Sequence, residues 1–134
     1  AGANATVYTC PASTYAVVTI SMCNRSNGAA ALRLAVASAD TPANAEYIEF
    51  DTEILAKGVL ERTGIVLDAG KKLVAYSSAD AVSCVCFVWR VPRGSDATPR
   101  FAGVYMLVRV RACVSSRGVH LCLSFRRLLS FFRY

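Results

Sequence analysis

Glu46, Glu49, Asp51 and Glu53 are the densest group of carboxylates in the chain. Paired carboxylates can hold a divalent cation through oxygen ligands, or serve as acid and base on a glycosidic bond. On a continuing strand Glu49, Asp51 and Glu53 share one face, because side chains two apart point the same way. No EF-hand spacing surrounds them, and no further acid can be placed opposite them from sequence. The row therefore reads as the solvent side of a half-buried strand, where charges belong.

Six cysteines stand at positions 10, 23, 84, 86, 113 and 122. The even number permits a disulfide framework, but a chain of 134 residues that is 54% hydrophobic can bury enough core without one. Cys84 and Cys86 share a face of one strand-like run, and small buried free thiols are the expected state. Only His120 could act as an imidazole base for a nucleophilic cysteine, and it sits in a strand-like run between Val119 and Leu121. Gly58, Gly64 and Gly70 are spaced as turn residues, without a phosphate-binding loop or a dinucleotide fingerprint. No Gly-x-Ser-x-Gly elbow is present, and no Cys-x-x-Cys pair suggests zinc. The expectation is a protein that is not an enzyme and has no catalytic, cofactor-binding or metal-binding residues and no cofactor.

Charge is divided unevenly. Residues 1–89 carry six Lys and Arg against eight Asp and Glu, a net −2, whereas residues 90–134 carry nine Arg against Asp96 alone, a net +8. In the tail, Arg126, Arg127 and Arg133 alternate with Phe125, Leu128, Leu129, Phe131, Phe132 and Tyr134. Such a segment can track single-stranded nucleic acid, lie in a membrane interface, or pack its apolar side on a neighbouring subunit with Arg at an acidic rim. The third is expected, since the apolar content exceeds what phosphate tracking needs. No stretch of about 20 apolar residues is present to span a membrane.

The elements that must position these residues are strands. Residues 15–23 are rich in β-branched side chains and partly alternate. Residues 24–28, Asn-Arg-Ser-Asn-Gly, supply a turn, and residues 31–37 alternate with Leu32, Leu34 and Val36 on one face and Arg33 on the other. Residues 47–52 set Tyr47, Glu49 and Asp51 opposite Ile48 and Phe50. Residues 53–67 read as two short strands with turns, and residues 68–71 as a turn into the run 73–77. Residues 82–91 form the most apolar strand. Turn signals recur about every 8–12 residues, the spacing of an all-β sandwich or barrel. The expected fold is an antiparallel, jelly-roll-like β-sandwich over residues 1–92, of about seven or eight short strands. Its inner face should hold Val18, Ile20, Leu32, Leu34, Ile48, Phe50, Leu73, Val85 and Phe87. Residues 92–96 form a loop boundary. Residues 93–134 then make a basic, apolar arm with strands at 103–114 and 119–125.

The run from Asn44 to Thr52, Asn-Ala-Glu-Tyr-Ile-Glu-Phe-Asp-Thr, is followed by residues 58–67, Gly-Val-Leu-Glu-Arg-Thr-Gly-Ile-Val-Leu. Before them stand residues 7–12 and the strand ending in Cys23-Asn24-Arg25; after them come residues 70–77. Over residues 6–90 this ordered pattern resembles a small β-rich module of virion structural proteins of tailed bacteriophages, cyanophages included. The resemblance implies a non-enzymatic β-sandwich on a phage particle, foremost an outer capsid cement or decoration subunit, with a tail, baseplate or fibre component as the alternative. It implies assembly in the host cytoplasm into the virion, with copies of itself and with proteins such as the major capsid protein as partners. A nucleic-acid- or membrane-binding accessory role for the Arg-rich tail is the rival from another class. The contact residues expected are Glu49, Asp51, Glu53, Glu61 and Arg62 on the body and Arg109, Arg111, Arg126, Arg127, Phe131 and Phe132 on the arm. Arm exchange between identical subunits, as a trimer or dimer, would bring Arg109 and Arg111 to the carboxylate row; a hairpin folded back on its own body would satisfy the same charges.

Overall fold

The computed structural model describes residues 2–93 in full, and beyond them the backbone strands at 104–106, 108–115 and 118–125. The body contains β1 (Ala5–Thr9), β2 (Thr14–Asn24), β3 (Ala30–Ala37), β4 (Tyr47–Ile54), β5 (Val59–Leu67), β6 (Lys72–Ser77) and β7 (Val82–Pro92). A 3-10 turn, Asn44–Glu46, precedes β4, and the described residues contain no α-helix. All pairings are antiparallel. One sheet runs β1-β6-β3-β4, and the body's share of the second runs β7-β2-β5. The fold is an all-β sandwich, as the alternation and turn spacing predict.

The pairings nest. β3 pairs with β4, β2 with β5, and β1 with β6, so the chain is one long hairpin rolled until its successive layers fall into alternate sheets. This is the jelly-roll arrangement. β7 is the outermost strand of the nest. Its edge is met by β8 (Val104–Met106), paired Val88 to Met106, and by β9 (Val108–Ser115), paired Cys84 to Ala112. β10 (Gly118–Phe125) pairs with β9 from Gly118↔Ser115 to Phe125↔Val108. The arm's hairpin thus lies where the composition placed it, and it extends the second sheet of its own chain.

Strict alternation on β2 sends Ala16, Val18, Ile20 and Met22 into the sandwich, where they meet Leu32 and Leu34 of β3 and Leu73 of β6. Each large aliphatic side chain buried there contributes about 1.5–3 kcal/mol. Cys84, Cys86 and Val88 are the inward residues of β7, and Val85 and Phe87 point outward, with Phe87 47% exposed. The expected inner positions of Val85 and Phe87 are therefore reversed. β7 is apolar on both faces, so its pattern carries no parity; pairing with β2 decides it. Cys84 lies in apolar surroundings that push its thiol up to about 12. Cys10, Cys23, Cys84 and Cys86 are all free thiols.

Residues 53–67 form the end of β4, a turn and one long strand rather than two short strands. β5 passes its midpoint by a bulge: Val18 faces Ile65 but Ile20 faces Arg62, three residues on β5 against two on β2. Gly64, at φ +71, supplies the left-handed step that such a bulge needs. At the other end of β2, Asn24 is fully buried and closes the 24–28 turn. Its amide nitrogen donates to the carbonyls of Gly28 at 2.8 Å, Ile54 at 3.1 Å and Leu55 at 3.1 Å. Its side-chain oxygen accepts from the Ser26 amide at 3.0 Å and hydroxyl at 2.7 Å. Asn24-Arg25-Ser26 matches the short pattern for N-linked glycosylation, and its acceptor nitrogen lies inside the fold.

Candidate interaction site at the β4–β5 seam

β4 is an edge strand of the first sheet and β5 an edge strand of the second. Residues 55–58 turn the chain from one to the other, closed by the Gly58 amide donating to the Leu55 carbonyl at 2.9 Å. Gly58 is required by space: a Cβ there would meet Ile54 Cγ2 at 2.9 Å and the Leu55 oxygen at 3.0 Å. The Asn24 side chain binds the Ile54 and Leu55 carbonyls from beneath, and its backbone N–H donates to the Gly58 carbonyl at 2.9 Å. The site is therefore anchored at its turn by the buried asparagine.

Along the seam, Arg62 of β5 donates through Nε to Glu49 Oε1. Thr52 Oγ1 donates to the other carboxylate oxygen at 2.7 Å. The Arg62 guanidinium, and after it the Thr52 hydroxyl, hold the Glu49 carboxyl below the usual carboxylate range. Glu49 retains only 16% of its side-chain exposure. The pair clasps the edges of the two sheets together.

Glu49 can reach the seam because β4 is bulged. Leu32 faces Thr52 while Leu34 faces Glu49, so three residues of β4 oppose two of β3. Asp51 takes φ +51 within the bulge, a conformation open to Asp through its short polar side chain. The extra residue changes the parity of the strand. Glu49 turns toward Arg62, while Asp51 and Glu53 face out. The expectation that the three acids share one face is corrected by this bulge. Ile48 and Phe50, expected inside, are 47% and 56% exposed for the same reason.

On the outer side, Arg33 of β3 makes a two-pronged bond to Asp51, Nε to Oδ1 at 2.6 Å and Nη2 to Oδ2 at 3.0 Å. Its guanidinium lies over the Phe50 ring at 4.2 Å and over the Tyr76 ring at 4.8 Å from the centroids. Tyr47 meets Phe50 edge-on, with centroids 5.0 Å apart and an interplanar angle of 85°. Arg33, Tyr76 and Phe50 were not singled out as site residues from sequence. The available signal was Arg33 itself, the one charge in an alternating apolar strand.

Two of the site's carboxylates are each held by an arginine, so neither is free as a base or as a metal ligand. Among the described residues no three His, Cys, Asp or Glu gather into a metal-binding group. Glu53 and Glu61 are exposed. What remains is an apolar surface of Ile48, Phe50 and Leu55, rimmed by paired charges. Of the arm residues expected at contacts, Arg109 and Arg111 lie on β9, beside β7 on the opposite side of the second sheet from β5; their side chains lie outside the described residues. Arg126, Arg127, Phe131 and Phe132 also lie outside them. Comparison with protein-family models, with curated proteins and with solved structures finds no match to this chain.

Proposed function

We propose that this chain is a structural protein of a tailed-phage virion, an outer capsid cement or decoration subunit, which assembles with copies of itself and with other virion proteins such as the major capsid protein. The observation that carries the reading is the ordered pattern over residues 6–90. It runs from β1 to β7 and so coincides with the rolled body instead of cutting across it. Double-sheet jelly rolls recur among viral capsid domains. That analogy concerns fold alone, so the contact surface at the seam is the second support. An exposed apolar patch with a rim of satisfied charges has the anatomy of a protein–protein interface. The role needs no chemistry from the seam, only a rigid surface, and the Glu49–Arg62 clasp and the Asn24-anchored turn supply rigidity.

Counting copies in purified particles by quantitative mass spectrometry tests the proposal. Hundreds of copies per particle are expected for a capsid lattice. A handful would move the chain to the tail, baseplate or fibre, and absence from particles would refute the reading. A salt titration adds a second check. Retention on capsids should persist as salt rises, because the contact is largely apolar. Retention on DNA that falls steeply with salt would instead assign the Arg-rich tail to phosphate binding.

A further inference from the structure

The backbone register of the arm's hairpin brings together residues of the types that hold metal ions. Cys113 of β9 and His120 of β10 are cross-strand partners. Cys122 stands two residues after His120, and so on the same face of β10. Paired residues of neighbouring strands share a face of the sheet, which places Cys113, His120 and Cys122 on one side of the hairpin. Neither strand carries such a group alone. It exists because the turn at 115–118 folds β10 back on β9.

β7 fixes which side this is. Ser83 pairs with Cys113 on β9 and with Cys23 on β2. It is half-buried between the buried Val82 and Cys84, so it belongs to the outer side of the second sheet. The row Cys23, Ser83, Cys113, His120 therefore crosses the side of the sheet away from the core, opposite to Cys84 and Cys86.

Distances decide what the three positions can do. Directly paired Cα atoms lie about 4.5–5.5 Å apart, residues two apart on a strand about 6.6 Å, and diagonal neighbours about 7–8 Å. Cys113 and Cys122 are diagonal neighbours, at or beyond the limit of about 6.8 Å at which Cα atoms accept a disulfide. An ion spans a wider gap. It stands about 2.3 Å from each sulfur and about 2.1 Å from an imidazole nitrogen, in place of one sulfur–sulfur bond of about 2.05 Å. Cys23 lies two strands from Cys113, about 9.6 Å away, and is out of reach of the same ion.

We propose that Cys113, His120 and Cys122 bind one thiophilic divalent ion of the zinc class, leaving its fourth tetrahedral position to solvent. Thiolate and imidazole donors favour zinc over magnesium and calcium, which take oxygen ligands. Both thiols lose their protons to solvent on binding, and the two thiolates cancel the charge of the ion. Neutrality matters here, because Arg111 is in register with Cys122. A guanidinium would repel a bare cation, but it meets no net charge in the loaded site, and in the empty one it favours the thiolate form. Cys113 with His120 alone would also suit a nucleophile and its base, yet that reading leaves the second sulfur without a part. The expectation of no metal-binding residues rested on the lack of a Cys-x-x-Cys pair; here the sulfurs are far apart in sequence and the hairpin joins them. The inference does not depend on the virion assignment, which particle copy number tests.

The test is titration of the full, reduced chain with Co2+ as a spectroscopic stand-in, followed by displacement with Zn2+. The expected result is one ion per chain and a thiolate-to-cobalt absorption band that Zn2+ abolishes. Cys113→Ser, Cys122→Ser and His120→Ala should each weaken binding at least about tenfold, while Cys23→Ser leaves it unchanged. Circular dichroism confirms that each variant keeps its β-sheet body. A register variant separates geometry from composition. Cys122→Ser combined with Leu123→Cys keeps the number of sulfurs but moves one to the opposite face, so binding should stay weakened at least about tenfold. In a second readout, Zn2+ should slow alkylation of Cys113 and Cys122 but not of Cys23. Absence of the thiolate-to-cobalt band, a Cys23→Ser variant as impaired as Cys113→Ser, or full binding by the register variant would each overturn the proposal.

Discussion

Replacing Asn24 with alanine should lower stability by about 3–7 kcal/mol. The side chain makes five hydrogen bonds: three from its amide nitrogen to the carbonyls of Gly28, Ile54 and Leu55, and two to its oxygen from Ser26. The losses are unequal. Gly28, Leu55 and Ser26 lie near the surface, where water can replace the asparagine, so each of those bonds contributes about 0.5–1 kcal/mol. Ile54 is buried, and its bond to Asn24 lies away from solvent; leaving that carbonyl unmet costs about 1–3 kcal/mol. With a urea dependence of about 2 kcal/mol/M, the unfolding midpoint should fall by about 1.5–3.5 M. Asn24→Asp sharpens the test. It keeps the oxygen but sets a carboxylate against three carbonyls, so it should be worse than alanine at neutral pH. It should recover part of the loss in acid, when the protonated carboxyl can donate to one carbonyl. An Asn24→Ala protein within about 0.5 kcal/mol of the parent would refute the view that this residue ties the turn to the β4–β5 connection.

The Glu49 carboxyl is held below its ordinary value of 4.5. The unfolded chain therefore binds the proton first, and the stability this group supplies is present above that value and lost as pH falls through the depressed one. Urea midpoints measured from neutral pH to about pH 2 should show a shallower acid slope in Glu49→Gln than in the parent; identical slopes would remove the seam pair from the account. Gly64→Ala should destabilise by about 1–2 kcal/mol through backbone strain alone, since nothing lies within 4 Å of the added carbon, and thermal unfolding should register it without loss of the β-sheet circular dichroism signal. Cys84, its thiol raised to about 12, should react with alkylating reagents near pH 8 only as fast as the protein unfolds. Peptide mapping after timed labelling checks this, and rapid native modification would show that the strand opens locally.

Much of the architecture is legible in the chain itself. Turn residues at 24–28 and 68–71 and the alternation of β2 and β3 place Val18, Ile20, Leu32 and Leu34 inside, because the larger aliphatic side chains recur with a period of two and smaller or more polar residues stand opposite most of them. The arm's hairpin is legible for the same reason: two β-rich runs bracket the turn at 115–118. Two strands escape this logic. β7 is apolar on both faces, so local pattern cannot say that Cys84, Cys86 and Val88 go in and Val85 and Phe87 go out; hydrogen-bonded register with β2 does. On β4 the alternation is clear but misleading. One extra residue opposite β3 reverses the parity between Glu49 and Asp51, and a guanidinium from β5, 13 residues on, makes it favourable to draw Glu49 out of solvent while Ile48 and Phe50 stay in it. Neither the bulge nor the partner is written in the residues around position 50. They arise from pairing between strands distant in sequence, which is also why the nested order of the sheets became visible only in three dimensions.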